Sequence, residues 1–98
     1  MRPVLHGDVT SAARVLLGTP EAQRRWMCRQ MIGEAVLAER HRLRTGRMHP
    51  RWGNGSLMAA ARRRVLADEP TFDDPDYCGC VETVLQCLIE HAVSQVRR

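Results

Sequence analysis

The chain has 98 residues, 44% of them hydrophobic, and a formal net charge of +4, which leaves room for one small domain. No segment approaches the roughly 20 apolar residues of a membrane-spanning helix, and the N-terminal stretch MRPVLHGDVT lacks the apolar run of a signal peptide. We therefore expect a single cytoplasmic domain over residues 1–98, without membrane contact, whose four cysteines are thiols.

Charge is unevenly distributed along the chain. Residues 1–64 hold thirteen arginines and four acidic residues, whereas residues 65–98 hold two arginines and seven acidic residues. The contrast is sharpest between the arginine-rich segment 40–64, which has no acid, and segment 68–90, which has no arginine. This asymmetry is typical of segments that pair with each other or with a second copy, and also of polyanion-binding surfaces. We expect the two segments to dock on each other or on a second copy of the chain, and the sequence leaves open whether the arginines pair with the acidic segment 68–76 or face solvent.

Two helices, one short and one long, are predicted in the N-terminal half. The first is capped by Asp8 and stops at Gly18, with apolar residues at helical spacing between them. The sequence TPE at 19–21 combines a capping hydroxyl, a proline and a first-turn acid. It predicts the start of a long second helix that runs to about Thr45 and ends at Gly46.

Another short helix and another long one are predicted in the C-terminal half. Segment 46–55 contains three glycines and a proline, so it cannot continue a helix. Ser56 is then the expected cap of a third helix over residues 57–67, in which Val65 faces the core. The sequence DPD repeats the cap-proline-acid pattern and opens a fourth helix over residues 74–96.

These patterns predict an all-α protein, a small bundle of about four helices. Both long helices have apolar residues on more than one side, and only two short helices are available to cover them. The long helices therefore either lie at the centre of a tight bundle or pair with those of a second copy. Of these alternatives, we expect a dimer.

Three stretches of the sequence resemble a known group. PVLHGDV at 3–9, HRLRTGRMHPRWGNGSLMAA at 41–60 and DDPDYC at 73–78 are similar to a group of short uncharacterised bacterial proteins, a domain of unknown function. The resemblance implies one complete small domain. It implies no activity, cofactor or partner.

The central segment supplies the candidate site residues. Backbone amides over 53–56 precede a helix and have arginines nearby, a combination typical of anion sites. The structural alternative is a turn at Asn54-Gly55, a serine cap and a packed tryptophan, and we expect this alternative. The residues that would contact an anion or a partner are Arg44, Arg47, Arg51, Trp52, Asn54 and Ser56.

The same arginines raise the alternative of nucleic-acid binding through segment 40–64. Arginine contacts phosphate well. However, Arg40 and Arg44 share one helix face while Arg42 does not, and aromatic residues make up only 4% of the chain. We expect a protein partner in preference to a nucleic acid.

Cys78 and Cys80 are the weak candidates for a metal or thiol site. On a helix, two residues that are two positions apart point about 160° from each other, which suits one tetrahedral ion badly. No pair of spaced CxxC motifs is present. We expect no metal and no cofactor.

No serine, cysteine or histidine in the sequence has a base and an orienting group at a recognisable spacing, so we do not expect an enzyme. The function that fits best is a protein-protein interaction or adaptor domain that binds another protein or its own copy. Anion or nucleic-acid binding through the arginines is the first alternative. A metal or thiol site at Cys78 and Cys80 is the second.

Overall fold

The computed structural model describes residues 1–96 and confirms the all-α fold. Within these residues it contains no β-strand, and one turn of 3₁₀-helix at Glu21–Gln23 leads directly into the second helix. The four helices are α1 (His6–Leu17), α2 (Arg24–Thr45), α3 (Leu57–Ala61) and α4 (Pro75–Val96).

The core lies where α1 and α2 each pack against α3 and α4. Alanines fill much of it and lose all solvent exposure, so the helix backbones approach each other closely. Larger side chains complete the packing between them. The fully buried ones include Leu16, Met31, Leu57, Tyr77 and Val84.

Asp8 has a different role from the one expected. It does not cap a helix that starts after it, because α1 already begins at His6 and Asp8 lies in its first turn. One carboxylate oxygen accepts a hydrogen bond from the backbone N–H of Leu5 at 2.8 Å. The other accepts from the N–H of Met58, also at 2.8 Å, at the start of α3. A single buried carboxylate therefore caps two helices.

The start of α2 is less regular than predicted, whereas its end is as predicted. The Thr19 hydroxyl does not cap the helix and instead donates to the carbonyl of Val15 at 2.8 Å. The 3₁₀ turn forms in its place and the regular helix begins at Arg24. At the far end, Gly46 adopts the left-handed conformation with φ 73°, and its N–H donates to the carbonyl of Arg42 at 2.8 Å.

α3 is shorter than predicted, because it ends at Ala61 and not near Ala67. The chain then turns so that Ala67 exchanges hydrogen bonds with Arg14 on α1. The Arg64 guanidinium reaches Glu34 on α2 at 2.6 Å. These contacts with two other helices pull the segment out of helical geometry. Val65 is consequently 89% exposed, so the expectation that it faces the core is wrong.

α4 begins where the sequence predicts. Asp74 accepts hydrogen bonds from the N–H groups of Asp76 at 2.9 Å and of Tyr77 at 3.2 Å, which satisfies donors of the first turn. The buried side chains on α4 are Tyr77, Cys80, Val84 and Cys87.

Replacing the two capping side chains tests their share of the stability. We expect Asp8→Ala to lower the free energy of unfolding by about 2–3 kcal/mol, because two backbone donors lose a charged acceptor. Ser56→Ala removes one cap and should cost about 1 kcal/mol. Urea denaturation measures both losses. Asp73→Ala, at an exposed loop position, is the control and should change stability by less than about 0.5 kcal/mol. Equal losses for Asp8→Ala and Asp73→Ala would contradict the capping role.

Candidate functional site

The connection between α2 and α3 is an ordered loop. His49 and Gly53 exchange two backbone hydrogen bonds, of 2.9 and 3.0 Å. The Nδ1 atom of His49 accepts from the backbone N–H groups of Arg51 at 3.0 Å and of Trp52 at 3.1 Å. The imidazole thus accepts hydrogen bonds from the backbone N–H groups at the tip of the turn, as an asparagine side chain does in other turns.

Two glycines allow this loop to pack closely. Gly53 and Gly55 have positive φ angles of 78° and 90°, which residues with a side chain rarely adopt. A Cβ on Gly55 would come within 2.9 Å of the Glu39 Cα atom on α2. The Gly55 carbonyl also accepts a hydrogen bond of 2.9 Å from the N–H of Arg2. The loop is therefore held against α2 and the N-terminal segment.

The amides at the start of α3 already have partners within the protein. The Ser56 N–H donates to the Asn54 side chain at 3.0 Å, and the Ser56 hydroxyl accepts from the N–H of Ala59 at 3.1 Å. The N–H of Met58 donates to Asp8. Asn54 and Ser56 thus have the turn and cap roles given by the structural alternative.

Trp52 is half-buried and lies in a small group of rings. Its indole stacks on the His49 imidazole, with centroids 4.8 Å apart and an angle of 18° between the planes. The Arg51 guanidinium carbon lies 5.4 Å from the indole centroid, within cation-π range. His41 meets His49 edge-on at 5.0 Å. Sequence reasoning gave the histidines no role. Their spacing from Trp52 carries no periodic signal that would have indicated one.

Within residues 1–96, no ion pair joins segment 40–64 to the acidic segment 68–76. The acidic residue of that segment that forms an ion pair is Asp76, and its partner is Arg24, at 2.7 Å. Arg42 and Arg64 pair instead with glutamates of α2. The start of α2, and not its arginine-rich end, lies beside the acids of α4. Docking of segment 40–64 on a second copy stays a prediction. Within segment 40–64, the exposed arginines without an ion pair among the described residues are Arg40, Arg44, Arg47, Arg51, Arg62 and Arg63.

Ion pairs between α2 and α4 change the titration of two carboxyl groups. A hydrogen bond from Arg24 lowers the pKa of Asp76. Desolvation acts to raise the pKa of Glu90, but hydrogen bonds from Arg25 and Arg29 outweigh it and lower the pKa. Both carboxylates stabilise the fold when ionised, so this contribution is lost as the pH falls through their folded-state pKa values.

A groove of about 660 Å³ separates the middle of α2 from the C-terminal part of α4. Trp52 also lines it, so the ordered loop contributes to the groove. Polar side chains from both helices surround the apolar ones. The apolar lining residues are Ile32, Val36, Leu37, Trp52 and Cys87, and the polar ones include Arg29, Arg40, Glu90, His91, Ser94 and Gln95.

α4 also exposes apolar side chains on the side opposite its buried residues. Leu85 is 47% exposed and Ile89 is 62% exposed, and the same surface continues to the end of the helix. We refer to this surface as the outer face of α4, and it comprises Leu85, Ile89, Ala92, Val93 and Val96.

The cysteines do not form a metal site in the part of the chain that the structure describes. No group of three or more His, Cys, Asp or Glu side chains suited to a metal ion occurs there. Cys78 is partly exposed and its thiol donates to the carbonyl of Phe72 at 2.9 Å, whereas Cys80 is buried. Burial raises the pKa of the Cys80 and Cys28 thiols. Stability therefore falls as the pH rises above the ordinary thiol pKa, because the unfolded chain ionises more readily.

These thiols should differ in their reactivity towards iodoacetamide. We expect Cys78 to be alkylated first, because only a thiolate reacts and burial protects the other three cysteines. Peptide mass spectrometry after timed quenching measures the order. Denatured protein, in which all four should react at similar rates, is the control. Modification of Cys28 as fast as Cys78 in the native protein would contradict the packing described above.

None of the helices within residues 1–96 combines the length and apolar character needed to cross a membrane.

Taken together, the fold and its surfaces define a small helical domain with a groove, an exposed apolar helix face and a set of unpaired arginines. The chain belongs to the family described as Domain of unknown function (DUF7742), whose model matches residues 2–88. No curated protein and no solved structure matches the chain.

Proposed function

We propose that this protein is a non-enzymatic protein-interaction domain and that it pairs with a second copy of itself through the outer face of α4. The observation that carries the proposal is the exposure of Leu85, Ile89, Val93 and Val96, from 43 to 86%, on one side of a helix whose other side fills the core. Contiguous apolar surface of this kind on a small protein is typical of an interaction site.

The spacing along the outer face suits helix pairing. Leu85, Ile89, Ala92 and Val96 follow each other at intervals of four, three and four residues, which is the seam of two paired helices. The stripe is too short to form a free-standing coiled coil. However, α4 is already folded against the bundle, so pairing does not have to nucleate the helix.

A second copy is the partner that the chemistry of this face favours. The stripe carries no charge, and a two-fold contact requires only that one patch complement itself. Glu90, which flanks the stripe, has its charge offset by Arg25 at 2.5 Å and Arg29 at 3.4 Å, and this weakens repulsion between copies. Five side chains are far fewer than the roughly 20–30 residues per side of a standard interface. The dimer should therefore be weak and concentration-dependent.

We further propose that the protein acts in the cytoplasm, where its four free cysteines would stay reduced.

Light scattering coupled to gel filtration tests the pairing. We expect the mass of the wild type to rise towards two chains as concentration increases. Ile89→Asp should remain at one chain, because a charge at the centre of the stripe would be buried on pairing. Val65→Asp is the matched control, since Val65 is exposed but lies outside α4, and it should behave as wild type. A wild type that stays monomeric at high concentration would end the proposal of a second copy.

A second function, polyanion binding, is favoured by the exposed arginines. Arg44, Arg47 and Arg51 form no ion pair among residues 1–96, and Arg51 lies over the Trp52 ring. Guanidinium groups beside an aromatic ring suit a single-stranded nucleic acid, whose phosphates and bases need cations and stacking surfaces. The amides at the start of α3 do not contribute, because the protein's own side chains already accept from them.

Fluorescence anisotropy of a labelled single-stranded oligonucleotide tests this second function. It predicts salt-sensitive binding that weakens about tenfold in the Arg47→Ala/Arg51→Ala double variant. Arg62→Ala/Arg63→Ala removes the same charge from another exposed place and should retain most of the affinity. Equal losses in the two double variants would indicate only diffuse attraction and would count against a site at the loop.

A further inference from the structure

The groove between α2 and α4 is distinct from the outer face of α4. Its walls are the middle of α2 and the side of α4 that carries Cys87, Ser94 and Gln95, and Trp52 also lines it. The residues of the outer face do not line it. We infer that this groove is a binding site for an amphipathic helix of another protein, with acidic residues beside its apolar face.

Gly33 is the first observation that supports a helix as occupant. It lies within α2, lines the groove and has nothing within 4 Å of the place where its Cβ would be. Glycine weakens a helix interior relative to alanine. Neither a positive φ angle nor internal crowding accounts for it here. The open space lets the backbone of a second helix approach α2 closely.

The residues around Gly33 lie in a line that a helix can follow. Gln30, Gly33, Leu37 and Arg40 recur at intervals of three and four residues, so they lie on one side of α2. Leu37 is 48% exposed and offers an apolar contact beside the glycine. The stacked indole of Trp52, held by the loop, supplies a rigid aromatic surface in the same groove.

The charges beside the groove determine which kind of helix can bind there. Near one part of the groove, Arg29 is already paired with Glu90 at 3.4 Å. Arg40 also lines the groove, yet it has no ion pair among residues 1–96, and Arg44 follows one turn further along α2. A helix lying over Leu37 would bring its flanking residues beside these two guanidinium groups, so glutamate or aspartate fits there and lysine does not.

A second copy of the chain is a less suitable occupant. The outer face of α4 would have to enter the groove of its neighbour head-to-tail, and a contact of this kind builds rings or open chains instead of a closed pair.

The test uses two synthetic peptides and the emission of Trp52. Both peptides are amphipathic helices of about 18 residues with the same leucine face. One has glutamates beside that face and the other has lysines. Trp26→Phe, at a position that is 58% exposed, leaves Trp52 as the emitter in the full-length protein. Titrations follow the shift in emission, and melting temperatures confirm that each variant is folded.

We expect the glutamate peptide to bind at least about tenfold more tightly than the lysine peptide. Arg40→Glu should reverse that order. Gly33→Leu should lower the affinity for the glutamate peptide at least about tenfold, because the leucine side chain fills the groove. Gly79→Leu is the matched control, because Gly79 is also helical, also has open space around it and does not line this groove.

Three results of these titrations would overturn the inference. They are absence of binding by both peptides, equal affinity for the two peptides, and equal affinity of Gly33→Leu and Gly79→Leu for the glutamate peptide. Repeating the titration in the Ile89→Asp variant separates the groove from pairing through α4. If the Ile89→Asp variant still binds the glutamate peptide, the groove is supported as the binding site whether or not the protein dimerises. Binding lost there assigns the peptide to the outer face and overturns the inference.

Discussion

The carboxylate of Asp8 joins the start of α1 to the start of α3, and much of the molecule depends on this contact. A helix of five residues is too short to be stable alone, so α3 requires partners for its free amides. Once α3 is fixed, the loop that precedes it has a defined end and can fold back on α2. That loop holds Trp52, and Trp52 lines the groove. The buried carboxylate of Asp8 on α1 thus influences the shape of the groove, through α3 and the loop that holds Trp52.

The arginines fall into two groups with different consequences. Those at the start of α2 pair with acids of α4. Exposed ion pairs of this kind each contribute little stability, at most about 1 kcal/mol. Arg44, Arg47 and Arg51, at the end of α2 and in the loop, lie away from those acids and form no ion pair among residues 1–96. Their charge is available to whatever approaches the loop or the groove.

The sequence predicts what local chemistry determines. Gly46 ends α2 and Asp74 caps α4 because each acts on neighbours within a few residues. The helical spacing of apolar residues in α4 likewise predicts that more than one of its sides is apolar. The end of α3 was not predictable, since it depends on contacts from Arg64 and Ala67 to other helices. The partner of Asp76 and the acceptor role of His49 were missed for a related reason. Both require knowing which atoms meet after folding, and residue type and spacing do not contain that information.

The contacts of α1 also bear on how the chain matures during synthesis. α1 is made before the other three helices, yet it packs most extensively on α4, which is made after them. At roughly 5–20 residues per second, several seconds separate the emergence of these two elements from the ribosome. During that interval the part of α1 that packs on α4 has no native cover. The nascent chain therefore exposes this apolar surface until α4 is delivered, and exposed surface of this kind is what makes incomplete domains prone to aggregation.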